Sequence, residues 1–236
     1  MEKQKLFING KWEEGIEHED LRSPYNREVI GLIPLATKEQ VENAIKSAQQ
    51  ATKIMRNLTS FERAEILEKV SDFFSERLEE CAHILASENA NPLKAARAEI
   101  TRTAETYKFA AEEAKRLHGE TVPLDAAKSG KGRFGYTKRE PLGVIAAITP
   151  FNFPFNLVAH KLGPAFAAGN AVVLKPASQT PLSAIITAKL FKEAGLPKGA
   201  LNVVTGKGSI IGDLLVQDPS CENDYFHREC TSRDSD

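Results

Sequence analysis

Three short segments hold the residue types from which a reaction site could be built. In Thr149-Pro150-Phe151-Asn152-Phe153-Pro154 two prolines fix the backbone on either side of Asn152. A carboxamide held in this way can donate a hydrogen bond to a developing oxyanion, a contribution worth about 2.7–4 kcal/mol in enzymes that use one. The same side chain could instead bond the local backbone of a structural turn. In Lys175-Pro176-Ala177-Ser178-Gln179-Thr180-Pro181 the lysine could bind the hydroxyls or phosphate of a nucleotide, or simply end a strand in solvent. In Thr205-Gly206-Lys207-Gly208-Ser209-Ile210-Ile211-Gly212 the glycines would let a phosphate approach the start of a helix. The spacing departs from G-x-G-x-x-G: Ile211 stands where the third glycine is expected, and Gly212 comes one residue late.

These segments fall at regular places in a strand–helix alternation. Val144-Ile145-Ala146-Ala147-Ile148 is a continuously apolar run of the kind found in buried parallel strands. The pattern then predicts a helix over 156–168, a strand over 171–174, a helix over 181–194, a strand over 201–204 and a helix over 209–217. Such alternation defines an α/β chain with a doubly wound, Rossmann-like parallel sheet, whose ligands bind at the carboxyl ends of the strands. The three segments lie at those ends.

Upstream, Asn9-Gly10 between apolar pieces predicts a hairpin, and a second extended piece ends near Pro34. Thr37 with Gln40 and Thr59 with Glu62 form capping boxes, each opening a helix. The second helix is expected to run unbroken through the apolar stripe Ile66, Leu67, Val70, Phe73, Phe74, Leu78, Cys81, Ile84 and Leu85. Asn91-Pro92 ends it and starts a further helix to about His118, with Gly119 as a left-handed stop. Between 119 and 142 the chain turns Gly- and Pro-rich, with an extended stretch over 133–139 and a loop or hairpin tip over 125–132. Four regions result: a helical wrap over 1–118, a hairpin over 119–142, a sheet core over 143–219 and a tail over 220–236.

A formal net charge of −1, with Lys and Arg interleaved among Glu, argues against a nucleic-acid partner. No apolar run reaches the roughly 18 residues that a bilayer span needs, and the first residues do not lead into a secretory signal, so a cytoplasmic protein is expected. Three cysteines imply no disulfide framework. Cys221, His227 and Cys230 lack a Cys-x-x-Cys pair, and no metal site is expected from them. Cys81 on its helical stripe reads as a small hydrophobe.

Taken in order, the motifs resemble the aldehyde dehydrogenase superfamily from about residue 6 to 219. The resemblance rests on Phe7-Ile8-Asn9-Gly10-Lys11-Trp12, Arg139-Glu140-Pro141-Leu142-Gly143-Val144, Gly163-Pro164-Ala165, Ala168-Gly169-Asn170, Leu174-Lys175-Pro176, Gln179-Thr180-Pro181 and Gly195-Leu196-Pro197 with Gly199. It implies that Asn152 is the side-chain half of an oxyanion hole and that Lys175 holds an adenosine ribose. It also implies that Thr149, Pro150, Phe151 and Gly208 line an NAD or NADP cleft, and that 119–142 belongs to an oligomerisation hairpin of a family homo-oligomer. The implied activity is oxidation of a small aldehyde to an acid through a thiohemiacetal and hydride transfer. The Thr149-Pro150-Phe151-Asn152 wording resembles the lactaldehyde and glyceraldehyde-3-phosphate branches. Where many NAD-preferring relatives carry a glutamate, this chain has Ser178, whose hydroxyl does not repel a 2′-phosphate; NADP is therefore tolerated, or a ribose hydrogen bond is merely missing.

The resemblance places the catalytic thiolate and the base glutamate beyond 219, so this chain is expected to be inactive alone. The competing reading is a non-catalytic nucleotide-binding or oligomerisation fragment. After Pro219 the wording changes to Cys221-Glu222-Asn223-Asp224-Tyr225-Phe226-His227-Arg228-Glu229-Cys230. Its possible codons, read one base on, contain the family's strand Val-Lys-Met-Ile-Thr-Phe-Thr-Gly-Ser. The tail is thus expected to be an out-of-frame reading, too polar for a buried strand, leaving the strand over 201–204 with an unpaired edge.

Overall fold

The computed structural model describes residues 3–219 and 221–226. Strands β1 (Leu6–Ile8) and β2 (Lys11–Glu13) form the expected hairpin. Asn9 and Gly10 both take positive φ, 50° and 73°, as a two-residue turn matched to strand twist requires. Strands β3 (Glu17–Arg22) and β4 (Val29–Leu35) pair antiparallel as a separate ribbon. Both capping boxes are made: Thr37 and Gln40 open α1 (Lys38–Asn57), and Thr59 and Glu62 open α2 (Ser60–Glu76).

The stripe after Thr59 is not one helix. It breaks at Arg77 (φ −105°, ψ 27°), and α3 (Leu78–Asn89) follows. No glycine or proline marks the break. Its cause is tertiary: α2 packs on α4 (Leu93–Ala114), α5 (Pro154–Ala167) and α6 (Pro181–Glu193), whereas the main partners of α3 are α4 and α6, so the stripe changes partners along its length. Ala90 at φ 52° ends α3 ahead of Asn91-Pro92. Helix α4 stops at Ala114, short of His118, and Gly119 is not left-handed. Glycine is needed there for close approach, since a Cβ would lie 1.7 Å from the Thr137 carbonyl oxygen. That contact belongs to the ribbon of β5 (Thr121–Val122) and β6 (Gly135–Tyr136), two residues each, so most of 133–139 is not strand. The connection is two single-turn 3-10 helices at Leu124–Ala126 and Lys128–Gly130.

From Val144 the expected alternation is present: β7 (Val144–Ile148), α5, β8 (Ala171–Lys175), α6, β9 (Leu201–Val203), α7 (Gly208–Gln217) and β10 (Cys221–Phe226). The sheet order is β10-β7-β8-β9-β1-β2, with β10, β7, β8 and β9 parallel. Helices α1 and α7 pack together on the sheet, as do α5 and α6, which are backed by α2, α3 and α4. All five residues of β8 are accordingly buried. Beneath α5 and α6 the rings of Phe74, Tyr107, Phe155, Phe166 and Phe191 meet with centroids 5.0–5.6 Å apart.

Two expectations about the sheet edge are overturned. Strand β9 is not left unpaired, because Phe7 of β1 pairs antiparallel with Val203 and closes that side with the amino-terminal hairpin. The segment Cys221–Phe226, expected to be too polar, pairs parallel to β7 across a bulge between Cys221 and Asn223. Backbone groups make the ladder, and β10 is an edge strand, where polar residues are tolerated. Residues 220 and 227–236, including His227 and Cys230, lie outside the described residues.

Helices α5 and α6 both start with proline, and neither has a side-chain cap from its own N-cap residue. Proline has no N–H at that position, so the next two N–H groups are the ones that need acceptors. On α6 these belong to Leu182 and Ser183, and both donate to Glu88 of α3, at 2.9 and 3.0 Å; the Ser183 hydroxyl also donates to it. Glu88 is 2% exposed, and burial pushes its carboxyl up to about 8 against the helping bonds. The folded chain therefore holds this proton to about pH 8, while an unfolded carboxyl loses it near 4.5. Its contribution to stability is full below about 4.5 and is lost as pH rises toward 8. Urea midpoints should fall across that window, and Glu88→Gln should reduce the slope. A midpoint that rises over the same window would contradict this role.

Candidate functional site

The carboxyl ends of β7, β8 and β9 bring the three sequence segments to one side of the sheet. Thr149, 4% exposed, donates its N–H to the Lys175 carbonyl at 3.2 Å and so prolongs the β7–β8 ladder by one rung. The loop then rises through half-buried Pro150 to the exposed rings of Phe151 and Phe153. Between them Asn152 is half-buried, and its carboxamide oxygen is shut off from solvent without a hydrogen-bond partner. Asn152 is thus not spent on a turn. The start of α5 is gripped from α4: Glu99, 3% exposed, accepts the N–H groups of Phe155 at 3.0 Å and Asn156 at 3.2 Å. Burial raises the Glu99 carboxyl above the usual range, opposed by those two bonds and by Arg102.

Lys175 is not a solvated strand terminus. It is 5% exposed, and burial lowers its ammonium below the usual lysine range. Among the described residues its Nζ makes one hydrogen bond, to the Pro176 carbonyl at 3.0 Å, and it faces the start of α7: a Cβ on Gly208 would stand 3.9 Å from it. An ammonium has three donors, so two remain for a ligand or water. Ser178 is exposed, and its hydroxyl donates to the Gly206 carbonyl at 3.3 Å, linking the β8 and β9 loops. Gly206 takes φ 149°, and a Cβ there would meet the Ile211 side chain at 2.5 Å. The far wall is the β3–β4 ribbon: Leu21, Ile33 and Leu35 line a cleft with Pro176, Ser178 and Gly206. Thr205 fastens that wall, donating its hydroxyl to the Pro34 carbonyl while its own carbonyl accepts the Ala36 N–H at 2.9 Å.

Ser178 lines this cleft with Gly206, and Lys175 lies beside it against Gly208, with Thr149 tied to Lys175 through the backbone. Asn152 stands on the neighbouring loop, with no side-chain contact to that group. Helix α7 differs from α5 and α6 in opening with glycine, which keeps its N–H; among the described residues no side chain accepts from its first turn. Sequence reading did not single out Glu88, Glu99 or Arg102, and named Thr205 only as the first residue of the third segment. The two glutamates had a legible signal, since Glu88 follows Cys81 and Leu85, and Glu99 lies between Ala96 and Thr103, on buried helix faces. Cys81 is fully buried, and burial pushes its thiol up to about 12, so it is no nucleophile at neutral pH. Among the described residues no group of His, Cys, Asp and Glu is placed to hold a metal ion, and no helix is long and apolar enough to cross a membrane.

A parallel sheet with helices on both faces and a glycine-lined cleft at its carboxyl edge is the architecture of a nucleotide-binding domain. The profile of the aldehyde dehydrogenase family matches residues 12–224, and the chain belongs to that family. The match runs five residues past Pro219, into the segment where the resemblance had been expected to stop. The chain is 47% identical over 212 residues to a 3-sulfolactaldehyde dehydrogenase of Priestia aryabhattai, covering 90% of this chain and 44% of the relative. It is 39% identical over 218 residues to a lactaldehyde dehydrogenase of Methanococcus aeolicus, covering 90% and 45%. The crystal structure of NADP-dependent glyceraldehyde-3-phosphate dehydrogenase from Bacillus halodurans, complexed with NADP, superposes with a TM-score of 0.90 at 40% identity, covering 93% of this chain and 47% of that one. The chain spans less than half the length of these relatives.

The wall of the cleft gives a direct test of its construction. Thr205→Val keeps the shape and removes the hydroxyl that holds Pro34, leaving a buried carbonyl short of a donor. Stability should drop by about 1 kcal/mol in urea denaturation, with faster hydrogen exchange at Ala36. Unchanged exchange at Ala36 would mean that Thr205 does not hold the wall.

Proposed function

We propose that this chain forms the cofactor cleft and the carboxamide half of the oxyanion hole of an NAD(P)-dependent aldehyde dehydrogenase that oxidises small 2-hydroxy aldehydes. The observation that carries this reading is the convergence of a buried, under-bonded Lys175 with Gly208 and an open helix start. An ammonium with spare donors beside unpaired backbone N–H groups suits the hydroxyls and phosphates of a dinucleotide. The residues fit the group: Lys175 would bind the adenosine ribose, Ser178 would border its 2′ position, and Gly206 and Gly208 would let the phosphates near α7. Thr149, Pro150 and Phe151 would line the nicotinamide side. When bound, NAD(P) supplies the hydride acceptor. The chain's own task at the aldehyde is electrostatic: Asn152 Nδ2 donates to the carbonyl oxygen as negative charge collects there. The names of the relatives above share an aldehyde with a hydroxyl on the adjacent carbon, which motivates the substrate class.

In this reading the attacking thiolate and the base glutamate are supplied by sequence that in the family follows Pro219; Cys81 cannot replace the thiolate. This chain alone then binds cofactor without turning over, and the hairpin of β5 and β6 is its part of an oligomer contact. The second reading, a purely nucleotide-binding or assembly fragment, shares the cleft and differs only in the absence of partner sequence. The codon content of 221–230 favours an out-of-frame copy of the family's next strand. The nucleotide sequence decides it: one frame change restores the strand, or the idea fails.

Two measurements check the reading. Purified chain should quench or shift NADPH fluorescence on binding but give no NADPH production with lactaldehyde; turnover by this chain would overturn the assignment of the thiolate. Ser178→Glu should place a carboxylate beside the 2′ position and lower the NADP-to-NAD affinity ratio at least several-fold. An unchanged ratio in paired titrations would remove Ser178 from the ribose pocket.

A further inference from the structure

Among the described residues the buried Asn152 carboxamide oxygen has no hydrogen-bond partner, so the backbone that carries it is the restraint on where the carboxamide stands. One face of α4 meets the segment that follows it. Glu99 holds the N–H groups of Phe155 and Asn156, Arg102 stands over the Phe153 ring at 5.0 Å, and the Thr106 hydroxyl shares its one proton between the Arg102 carbonyl at 2.9 Å and the Asn156 carboxamide oxygen at 3.1 Å. Positions 99, 102 and 106 are spaced by three and four, so they stack along one side of the helix. Their targets are 153, 155 and 156, with Pro154 fixing φ between them. Helix α5 has no cap from Phe153, so these three contacts are the side-chain restraints on its first turn.

We propose that Glu99, Arg102 and Thr106 of α4 form a positioning clamp for the Asn152 carboxamide, with Glu99 as its anchor. The proposal rests on the oxyanion role assigned to Asn152 above. Glu99 does not reach the substrate in this scheme; it acts through the α5 start. Its second carboxylate oxygen is buried without a partner, so the two N–H bonds and the nearby Arg102 charge are what offset the burial of this acid. Glu88 provides an internal comparison: it caps α6 in the same manner, near enough to Glu99 for the two charges to interact but bonded to α6 and not to the start of α5.

The test reads the Asn152 side-chain amide signals by NMR in the full chain without cofactor, assigned by their loss in Asn152→Asp. Glu99→Ala should shift and broaden that pair. Glu88→Ala, an equally buried cap, should leave it in place while lowering stability. Glu99→Gln keeps a carbonyl acceptor and should restore most of the original position. Arg102→Ala, at an exposed site that tolerates truncation, should shift the pair in a folded protein even if Glu99→Ala does not fold. The clamp is overturned if Glu88→Ala and Glu99→Ala disturb Asn152 alike, or if Arg102→Ala leaves it unmoved. Failure of the unsubstituted chain to bind NADPH would instead remove the functional reading, and the NMR comparison would still stand.

Discussion

The structure depends on how the N–H groups at the starts of its sheet helices are satisfied. Each parallel strand feeds a helix whose first turn points donors at the carboxyl edge of the sheet, and those donors are costly to bury unpaired. For α5 and α6 the chain removes one donor with Pro154 or Pro181 and meets the next two with a buried glutamate from the helical wrap. Helix α7 receives neither device. It opens at Gly208, beside the Lys175 ammonium, and among the described residues no side chain accepts from its first N–H groups. The same physics thus closes two helix starts and leaves the third for a ligand.

This arrangement explains why the first part of the chain accompanies the sheet rather than forming a separate layer. Glu88 lies in the last turn of α3 and Glu99 in the second turn of α4, so the chain around Asn91-Pro92 delivers two carboxylates to two neighbouring helices. Both acids are lifted in pKa by burial, and the Glu99 charge adds to the rise at Glu88. Their cost is offset by the bonds they make, which also fix where α5 and α6 sit on the sheet. The hairpin of β1 and β2 then seals β9, while β3 and β4, held by Thr205, wall the cleft.

Local signals in the sequence were readable where the chemistry is local. The capping boxes at Thr37 and Thr59, the Asn9-Gly10 turn and the proline start of α6 all depend on neighbours within a few residues, and the structure has them, whereas α5 begins at Pro154, two residues before the expected 156. The strands β7, β8 and β9 were legible from their apolar runs. The break at Arg77 was not, because partners far along the chain impose it. Gly119 was misread for the same reason: its requirement comes from Thr137 across a ribbon, not from its own helix. Strand β10 was misjudged because apolar content is a weak guide at an edge. At the site, Lys175, Ser178 and Gly208 were legible as loop residues after strands. Glu99 was legible only as an acid on an apolar helix face, and its target lies more than fifty residues away.

The central claim is that the start of α7 is held open for a dinucleotide while α5 and α6 are closed by the protein itself. Amide hydrogen exchange resolved to single residues, with and without NADPH, tests it most directly. Phe155, Asn156, Leu182 and Ser183 should be protected from the outset, and Gly208 should become protected only when NADPH is added. Slow exchange at Gly208 before ligand, or no change there at saturating NADPH, would contradict the account.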